Sequence, residues 1–296
     1  MNKKKNLTFR QWMGQEHVAG VVFCMPFIIG FLLFMIVPMG ISLYYSFCDY
    51  NILTPAVFTG AANYIKMFTD DEVFWQTIGV TFYFALVSVP LRLIFALLVA
   101  MLLLKTTKAT GFYRAAYYLP SIIGGSVAVA VLWRRMWATD GVINTLLGSI
   151  GIKTSFAWLG NTKTAIWMLI ILAVWQFGSS MLIFLSSLKQ IPSSLYEAST
   201  VDGANKWTEF FKVTLPLVVP FITINLVLST KNLLMVFDQI MSLTKGGPAQ
   251  STESISYLIY KNGMDGGQFG FQSANAVIFF IVIVAISIFQ MTVLGK

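Results

Sequence analysis

The chain has 296 residues, 57% of them apolar and only 11% charged, a balance that leaves too few ionic groups to cover a water-facing surface. A soluble enzyme is excluded on those figures. The formal charge of +8 comes from 20 Lys and Arg against 12 Asp and Glu. Because the basic residues fall mostly in short segments between apolar runs, the excess reads as membrane topology, and no nucleic-acid partner is expected.

A bilayer core about 30 Å thick asks for around 20 apolar residues per helix, and six runs meet that length: Gly20 to Tyr45, Thr77 to Leu104, Tyr113 to Trp133, Thr164 to Leu188, Leu215 to Leu243 and Ser273 to Leu294. Each satisfies its own backbone hydrogen bonds as a helix. The first run is too long for a signal-peptide core, and Tyr44-Tyr45-Ser46-Phe47 offers no small-residue cleavage site, so it is read as a retained span. Residues 1–19 are expected to form a cytoplasmic tail, and residues 20–296 one transmembrane domain that includes a cytoplasmic loop at 189–214.

Orientation follows from the loops. With the N-terminus inside, Lys3, Lys4, Lys5, Arg10, Lys105, Lys108, Arg114, Lys189, Lys206, Lys212 and Lys296 lie inside. Fewer basic residues, Lys66, Arg134, Arg135, Lys153, Lys163, Lys245 and Lys261, lie outside. Asp49, Asp70, Asp71, Glu72, Asp140, Glu253 and Asp265 also fall outside, so both termini are expected in the cytoplasm. Cys24 and Cys48 sit near opposite ends of one run, roughly 36 Å apart at about 1.5 Å per helical residue, and cannot pair. His17 is the one histidine, which leaves no metal-ligand cluster.

Polar residues inside the spans call for a partner or a cavity. Arg92 lies near the middle of the second run and Lys231 near the middle of the fifth. Either hydrogen bonding to packed helices or lining of a solute path fits them. Asp238 falls two helical turns beyond Lys231, about 10.5 Å of rise, too far for a direct pair. In the fourth run Trp175, Gln176 and Ser179 fall within about one turn, and in the fifth Asn225, Ser229 and Asn232 share one stripe. A sugar, with polar edges and C–H faces, suits such a lining. Interhelical hydrogen bonding is the other use of the same residues.

The loop between the fourth and fifth runs is longer and more apolar than a connector needs. Pro192, Ser193 and Ser194 open a short helix, Leu195, Ala198 and Val201 give it a narrow apolar stripe, and Gly203 ends it. Trp207, Phe210 and Phe211 form a second patch. A helix-turn-helix knob results, and its Leu195, Tyr196 and Trp207 need either headgroups or a protein groove to cover them. None of Gly124-Gly125, Gly246-Gly247 or Gly266-Gly267 is followed by Lys then Ser or Thr, so the chain carries no P-loop.

The spacing of Glu197-Ala198-Ser199, Gly203 and Val213-Thr214-Leu215-Pro216 resembles the EAA loop of ABC importer permeases, with Ser199 in place of the second alanine and Val213 in place of isoleucine. Further segments resemble the carbohydrate permeases of the maltose-transporter type, in particular the MalF-like subunit. They are the Pro26 to Phe47 span, Asn63-Tyr64 with Asp70 and Phe74, Arg114 with Pro120 and Trp133, Gly141 with Asn144, Tyr196, and Leu243-Thr244-Lys245-Gly246-Gly247-Pro248 with Thr252.

The resemblance implies an all-α membrane protein of six transmembrane helices with the type I ABC importer permease fold, in a prokaryotic plasma (inner) membrane. It implies a transport subunit and not an enzyme. No cofactor would be bound by this chain, and ATP and Mg would sit on a separate ATPase. The implied partners are a second homologous permease, two ATP-binding-cassette ATPase subunits, an extracytoplasmic solute-binding protein and a carbohydrate.

Carried onto this sequence, the coupling residues would be Tyr196, Glu197, Ala198, Ser199, Asp202, Gly203, Ala204, Trp207, Leu215 and Pro216. Glu197 would pair with a basic residue of the ATPase. The substrate path would draw on Leu172, Trp175, Gln176, Ser179, Asn225, Ser229 and Asn232, with Arg92 and Lys231 as candidate lining that would suit an acidic solute. Gly246, Gly247 and Pro248 would touch the solute-binding protein. The competing reading, an ion-coupled secondary transporter, needs a buried carboxylate and inverted repeats. Asp238 is the one carboxylate inside an apolar run. A membrane phosphotransferase would need a phosphorylatable residue in a soluble module, and only His17 in the tail offers one.

Overall fold

The computed structural model describes residues 16–105, 108–152 and 155–294. Lys3, Lys4, Lys5, Arg10, Lys153 and Lys296, used above for orientation, lie outside the described residues, as do the tail up to residue 15 and the side chain of His17.

The first apolar run is a continuous helix, α1 (Glu16–Phe31), which passes through a π-helical turn at Leu32–Ile36 into α2 (Val37–Tyr45). It tolerates Pro26 in its interior. A hairpin follows, β1 (Cys48–Asn51) paired antiparallel with β2 (Thr54–Phe58). Asn51 Oδ1 accepts the Leu53 and Thr54 N–H groups, each at 2.9 Å, and so closes the turn. The hairpin is the one strand pair among the described residues of an otherwise helical chain. The short α3 (Ala62–Thr69) leads to α4 (Glu72–Leu102), whose Asp71 side chain caps it by accepting the Phe74 N–H at 3.1 Å.

The third span departs from the expected straight Tyr113–Trp133 helix. Its residues form α5 (Thr110–Ile123) and α6 (Val127–Met136), bent by 100° from each other. Gly124 and Gly125 supply the break, and Ser126 starts the new helix by accepting the Val129 N–H at 3.4 Å. Bonds from two neighbouring α6 residues hold the bend. Trp133 donates its indole N–H to the Met168 carbonyl at 3.1 Å, and Arg134 donates to the Ser242 and Leu243 carbonyls.

After α7 (Val142–Ser149), the fourth span is built from α8 (Ala165–Trp175) and α9 (Gly178–Lys189), with a break at Gln176 and Phe177. The chain then forms α10 (Ser193–Val201) and α11 (Lys206–Glu209), a π-helical turn at Phe210–Thr214, and α12 (Leu215–Leu234). The fifth span therefore ends at Leu234, short of the expected Leu243. Met235 to Phe237 unwind and α13 (Asp238–Leu243) starts anew. Ser254 holds that break open by donating to the Val236 carbonyl at 2.8 Å. Asp238 is consequently not a span residue two turns above Lys231. It begins a separate helix and is exposed. Helix α14 (Ile255–Tyr260) and a π-helical turn at Lys261–Asp265 precede the last span, α15 (Phe269–Leu294).

Among the described residues, five helices are thus long and apolar enough to cross a membrane, and the bent α5–α6 pair makes a sixth if it counts as one span. The buried centre is α4 with α8, α9 and α12, while α15 packs on α12 and α2. Small residues bring these helices close. At Gly178 an added Cβ would lie 2.5 Å from the Tyr117 carbonyl oxygen and 2.7 Å from Tyr118 Cα, so α9 meets the backbone of α5 directly. Buried Thr81 donates to the Thr77 carbonyl at 2.7 Å and accepts the Ile255 N–H at 3.0 Å, which ties α4 to the start of α14. In contrast, no residue from Gly20 to Tyr45 is buried among the described residues, so beyond the contact of α2 with α15 most of the apolar surface of α1–α2 is left for lipid or another helix.

Candidate functional site

Where α4, α12 and the breaks in the third and fourth spans converge, they enclose a cavity of about 490 Å³. Arg92 on α4, Gln176 and Ser179 at the α8–α9 break, and Asn225, Ser229 and Asn232 on α12 all line it. The i, i+4, i+7 stripe on α12 does therefore face one space. Asn225 and Ser229 are buried there, while Asn232 is exposed.

Three of the expected path residues are not among its lining residues. Leu172 is enclosed in the apolar core, Trp175 packs its ring against Trp133 at 5.9 Å, and Lys231 is exposed on α12. Residues that sequence reasoning missed complete the wall: Ser121 and Gly125 at the α5–α6 break, and Asp238 and Gln239 at the start of α13. For Ser121 and Gly125 the signal was the Gly124-Gly125 pair inside an apolar run; Asp238 and Gln239 had none. Gly124 leaves room for Gln176, because a Cβ there would overlap the Gln176 side chain. The side chain that lines the cavity and the glycine that breaks the helix are thus one packing unit.

The lining has more hydrogen-bonding capacity than the chain satisfies. Arg92 Nε, Gln176 Nε2 and Asn225 Nδ2 are buried atoms without a hydrogen-bond partner among the described residues. Such groups are costly to leave unmade and point to water or a solute as their partner.

The second candidate region is the knob at the ends of α9 and α12. Pro192 precedes α10 in extended conformation, as the sequence suggested for a helix start. Gly203, at φ +74°, ends the helix in a left-handed turn. The Ala204 N–H reaches the Ser199 carbonyl at 2.9 Å and the Gly203 N–H the Thr200 carbonyl at 3.1 Å, the paired bonds of a Schellman cap. Asn205 then caps α11 by accepting the Thr208 N–H at 2.8 Å. Tyr196 hydrogen-bonds Thr214 at 3.1 Å, so the α10 helix is pinned to the turn that feeds α12.

Pro216 starts α12 exposed, with Leu215 half-buried. Ser199 is buried and bonds the Tyr196 carbonyl at 2.8 Å, whereas Glu197, Ala198 and Asp202 face outward. Trp207 is 74% exposed and Val201 88%, and Trp207 stacks on Phe211 at 6.2 Å. Leu195, Val201, Trp207 and Phe211 stay exposed among the described residues, while Phe210 is half-buried.

At the other end, the Gly246-Gly247-Pro248 segment is a folded turn. Gly246 adopts φ +81° and is buried under Glu253 and Tyr257, where a Cβ would come within 3.2 Å of both side chains. Thr252 donates to the Gly247 carbonyl at 2.8 Å. Buried Glu253 pairs with Lys261 at 3.1 Å. Burial raises the Tyr257 hydroxyl above its ordinary range, against the opposing pull of Lys261. In this turn Lys245 and Ala249 are exposed and Gly246 is not.

Residues 72–296 match the model of the family described as binding-protein-dependent transport system inner membrane component. The chain belongs to that family. Its matched part starts at α4 and includes both the cavity and the knob. The permease is 47% identical over 282 residues to the "Probable ABC transporter permease protein YesP" of Bacillus subtilis (strain 168), covering 95% of this chain and 90% of that one. It is 32% identical to the trehalose/maltose transport system permease protein MalF of Thermococcus litoralis, with 94% of each covered. The expected MalF-like character is thereby found in a relative. Among solved structures, the permease superposes with a TM-score of 0.80 and 25% identity on a chain of a bacterial alginate ABC transporter in complex with an alginate pentasaccharide-bound periplasmic protein, covering 95% of this chain and 93% of that chain.

Proposed function

We propose that the permease is one half of the membrane pathway of an ATP-driven carbohydrate importer, completed by a second homologous permease. On this reading the transmembrane domain runs from residue 20 to 296 with both termini in the cytoplasm. The exposed apolar surface of α1–α2 supports a partner helix bundle beside it. ATP and magnesium belong to two separate ATPase subunits, consistent with the missing P-loop. An extracytoplasmic solute-binding protein delivers the cargo at the hairpin end, in the region of the turn at Gly246, Gly247 and Pro248. The trehalose/maltose and alginate systems named for its relatives support a sugar as that cargo.

The observation that carries the reading is the knob. A capped, rigid helix pair that leaves Leu195, Val201 and Trp207 uncovered is built to sit in a groove of another protein, and closure of two ATPase subunits would move it as a lever. The cavity supplies the other half of the function, with Gln176, Ser179, Asn225, Ser229 and Asn232 offered to sugar hydroxyls. The ion-coupled alternative needs a buried carboxylate, and Asp238, its candidate in the sequence, is exposed.

Replacing Gln176 by methionine keeps its bulk against Gly124 and removes its donors and acceptor. Labelled-sugar uptake by cells carrying the complete importer is expected to fall about tenfold, the scale of one buried hydrogen bond to substrate, with the complex still recovered intact on purification. Uptake kinetics equal to the parent protein would take Gln176 out of the path.

A further inference from the structure

Arg92 is set in the second span, near its middle, where an ion is costly to keep, and it opens onto the cavity of about 490 Å³. The ion pairs among the described residues are Arg135 with Asp140, Lys206 with Glu209 and Lys261 with Glu253; none of them involves Arg92. Its Nε is buried without a hydrogen-bond partner. One turn earlier on the same helix face, the Ser88 hydroxyl is likewise buried and unpartnered.

A guanidinium is always charged and only donates, so the group it lacks is an acceptor, and a negative one makes the strongest bond. Across the same cavity three other buried atoms are unpartnered, all on amides: the donors Gln176 Nε2 and Asn225 Nδ2 and the neutral acceptor Gln239 Oε1; Asn225 is only 1% exposed. Gln176 and Asn225 each turn a donor to a ligand without rebuilding the wall. Asp238 is the one carboxylate in the lining. It is exposed at the first residue of α13 and forms no ion pair with Arg92, so it does not discharge the cation.

From this we infer that Arg92 is a specificity-determining residue for an acidic glycan, and that the substrates of this permease carry a carboxylate, as uronate oligosaccharides do. The guanidinium takes the carboxylate, while Gln176 and Asn225 take neighbouring oxygens of the same or the adjacent sugar. The offset to an otherwise uncompensated charge then arrives with the cargo. This assignment rests on the cavity being the transport site, and its test separates the two claims.

Cells carrying the complete importer are given labelled di- to tetrasaccharides of galacturonate, glucuronate, mannuronate and guluronate, each beside its carboxyl-reduced neutral counterpart. The parent protein is expected to import at least one acidic member and to leave its reduced counterpart outside. Arg92→Gln should lower that uptake about tenfold or more through a raised KM, and Arg92→Lys, which keeps the charge but loses the planar fork, should restore part of it. Permease abundance in the membrane and recovery of the whole complex serve as the control for folding. Acidic uptake unchanged by Arg92→Gln overturns the inference, and so does a parent protein that imports only neutral members or none of the panel. If Gln176→Met lowers uptake and Arg92→Gln does not, the cavity remains the transport site and only the acidic specificity falls. If neither variant has an effect, the cavity reading falls with it.

Discussion

Gly178→Val is expected to leave little permease in the membrane. The new side chain starts 2.5 Å from the Tyr117 carbonyl oxygen and 2.7 Å from Tyr118 Cα, both backbone atoms that cannot swing away. Helices α5 and α9 must then move apart. Overpacking of a core costs about 1–3 kcal/mol and at times more, against a total stability of about 5–15 kcal/mol for folded domains. Separation of the two helices also uncouples the Gly124–Gln176 contact that shapes the cavity. The same substitution at Gly79 serves as the control, because a Cβ there meets nothing within 4 Å. Quantitative immunoblotting of membranes should show the Gly178 variant reduced about tenfold, one decade for each 1.4 kcal/mol, with the Gly79 variant near the parent level. Equal abundance and uptake for the two variants would show that the α5–α9 approach is not tight in the membrane.

Glu197→Lys is expected to abolish uptake without affecting abundance. Glu197 is exposed on α10 and belongs to none of the ion pairs among the described residues, so its reversal costs the fold little, within about 0.5 kcal/mol for an ordinary surface site. If it meets a basic residue of an ATPase groove, the reversal sets two like charges face to face. Loss of one partner in a buried charge pair costs about 2–5 kcal/mol of association, enough to strip the ATPase from the complex during purification. The measurement is ATPase recovered per permease after affinity capture, alongside sugar uptake. Co-purification at the parent ratio would place Glu197 outside the contact.

How much of this was legible in the chain differs by element, and the differences are physical. Apolar runs locate helices because hydrocarbon demands satisfied backbone, so the long helices α1–α2, α4 and α15 matched their expected runs to within a few residues. The breaks were not legible from hydropathy. Gly124-Gly125 sits in a run apolar enough to read straight through, and only the capping Ser126 and the distant bonds from Trp133 and Arg134 turn the chain by 100°. The end of α12 was likewise hidden, because Met235 to Phe237 are as apolar as the helix before them and the bond that diverts them comes from Ser254. Those two misses explain the site residues that were missed, since Ser121, Gly125, Asp238 and Gln239 enter the cavity only through the breaks.

The knob was read almost completely, for the opposite reason. Helix start and left-handed glycine are local signals, and Pro192 and Gly203 act within a few residues of themselves; the Asn205 cap on α11 was not anticipated. The hairpin at Cys48–Phe58 was not anticipated, because its strands are short and its pairing is fixed by neighbours. Asn63 donates to the Ser46 and Cys48 carbonyls at 2.9 and 2.8 Å, and Gly270 allows the Cys48 backbone to lie against α15.

The most direct measurement uses a photoreactive amino acid in place of Trp207, activated in membranes that hold the complete importer. A lever seated in a motor subunit predicts one dominant adduct, of a mass equal to permease plus nucleotide-hydrolysing polypeptide. Adducts to phospholipid alone would contradict it.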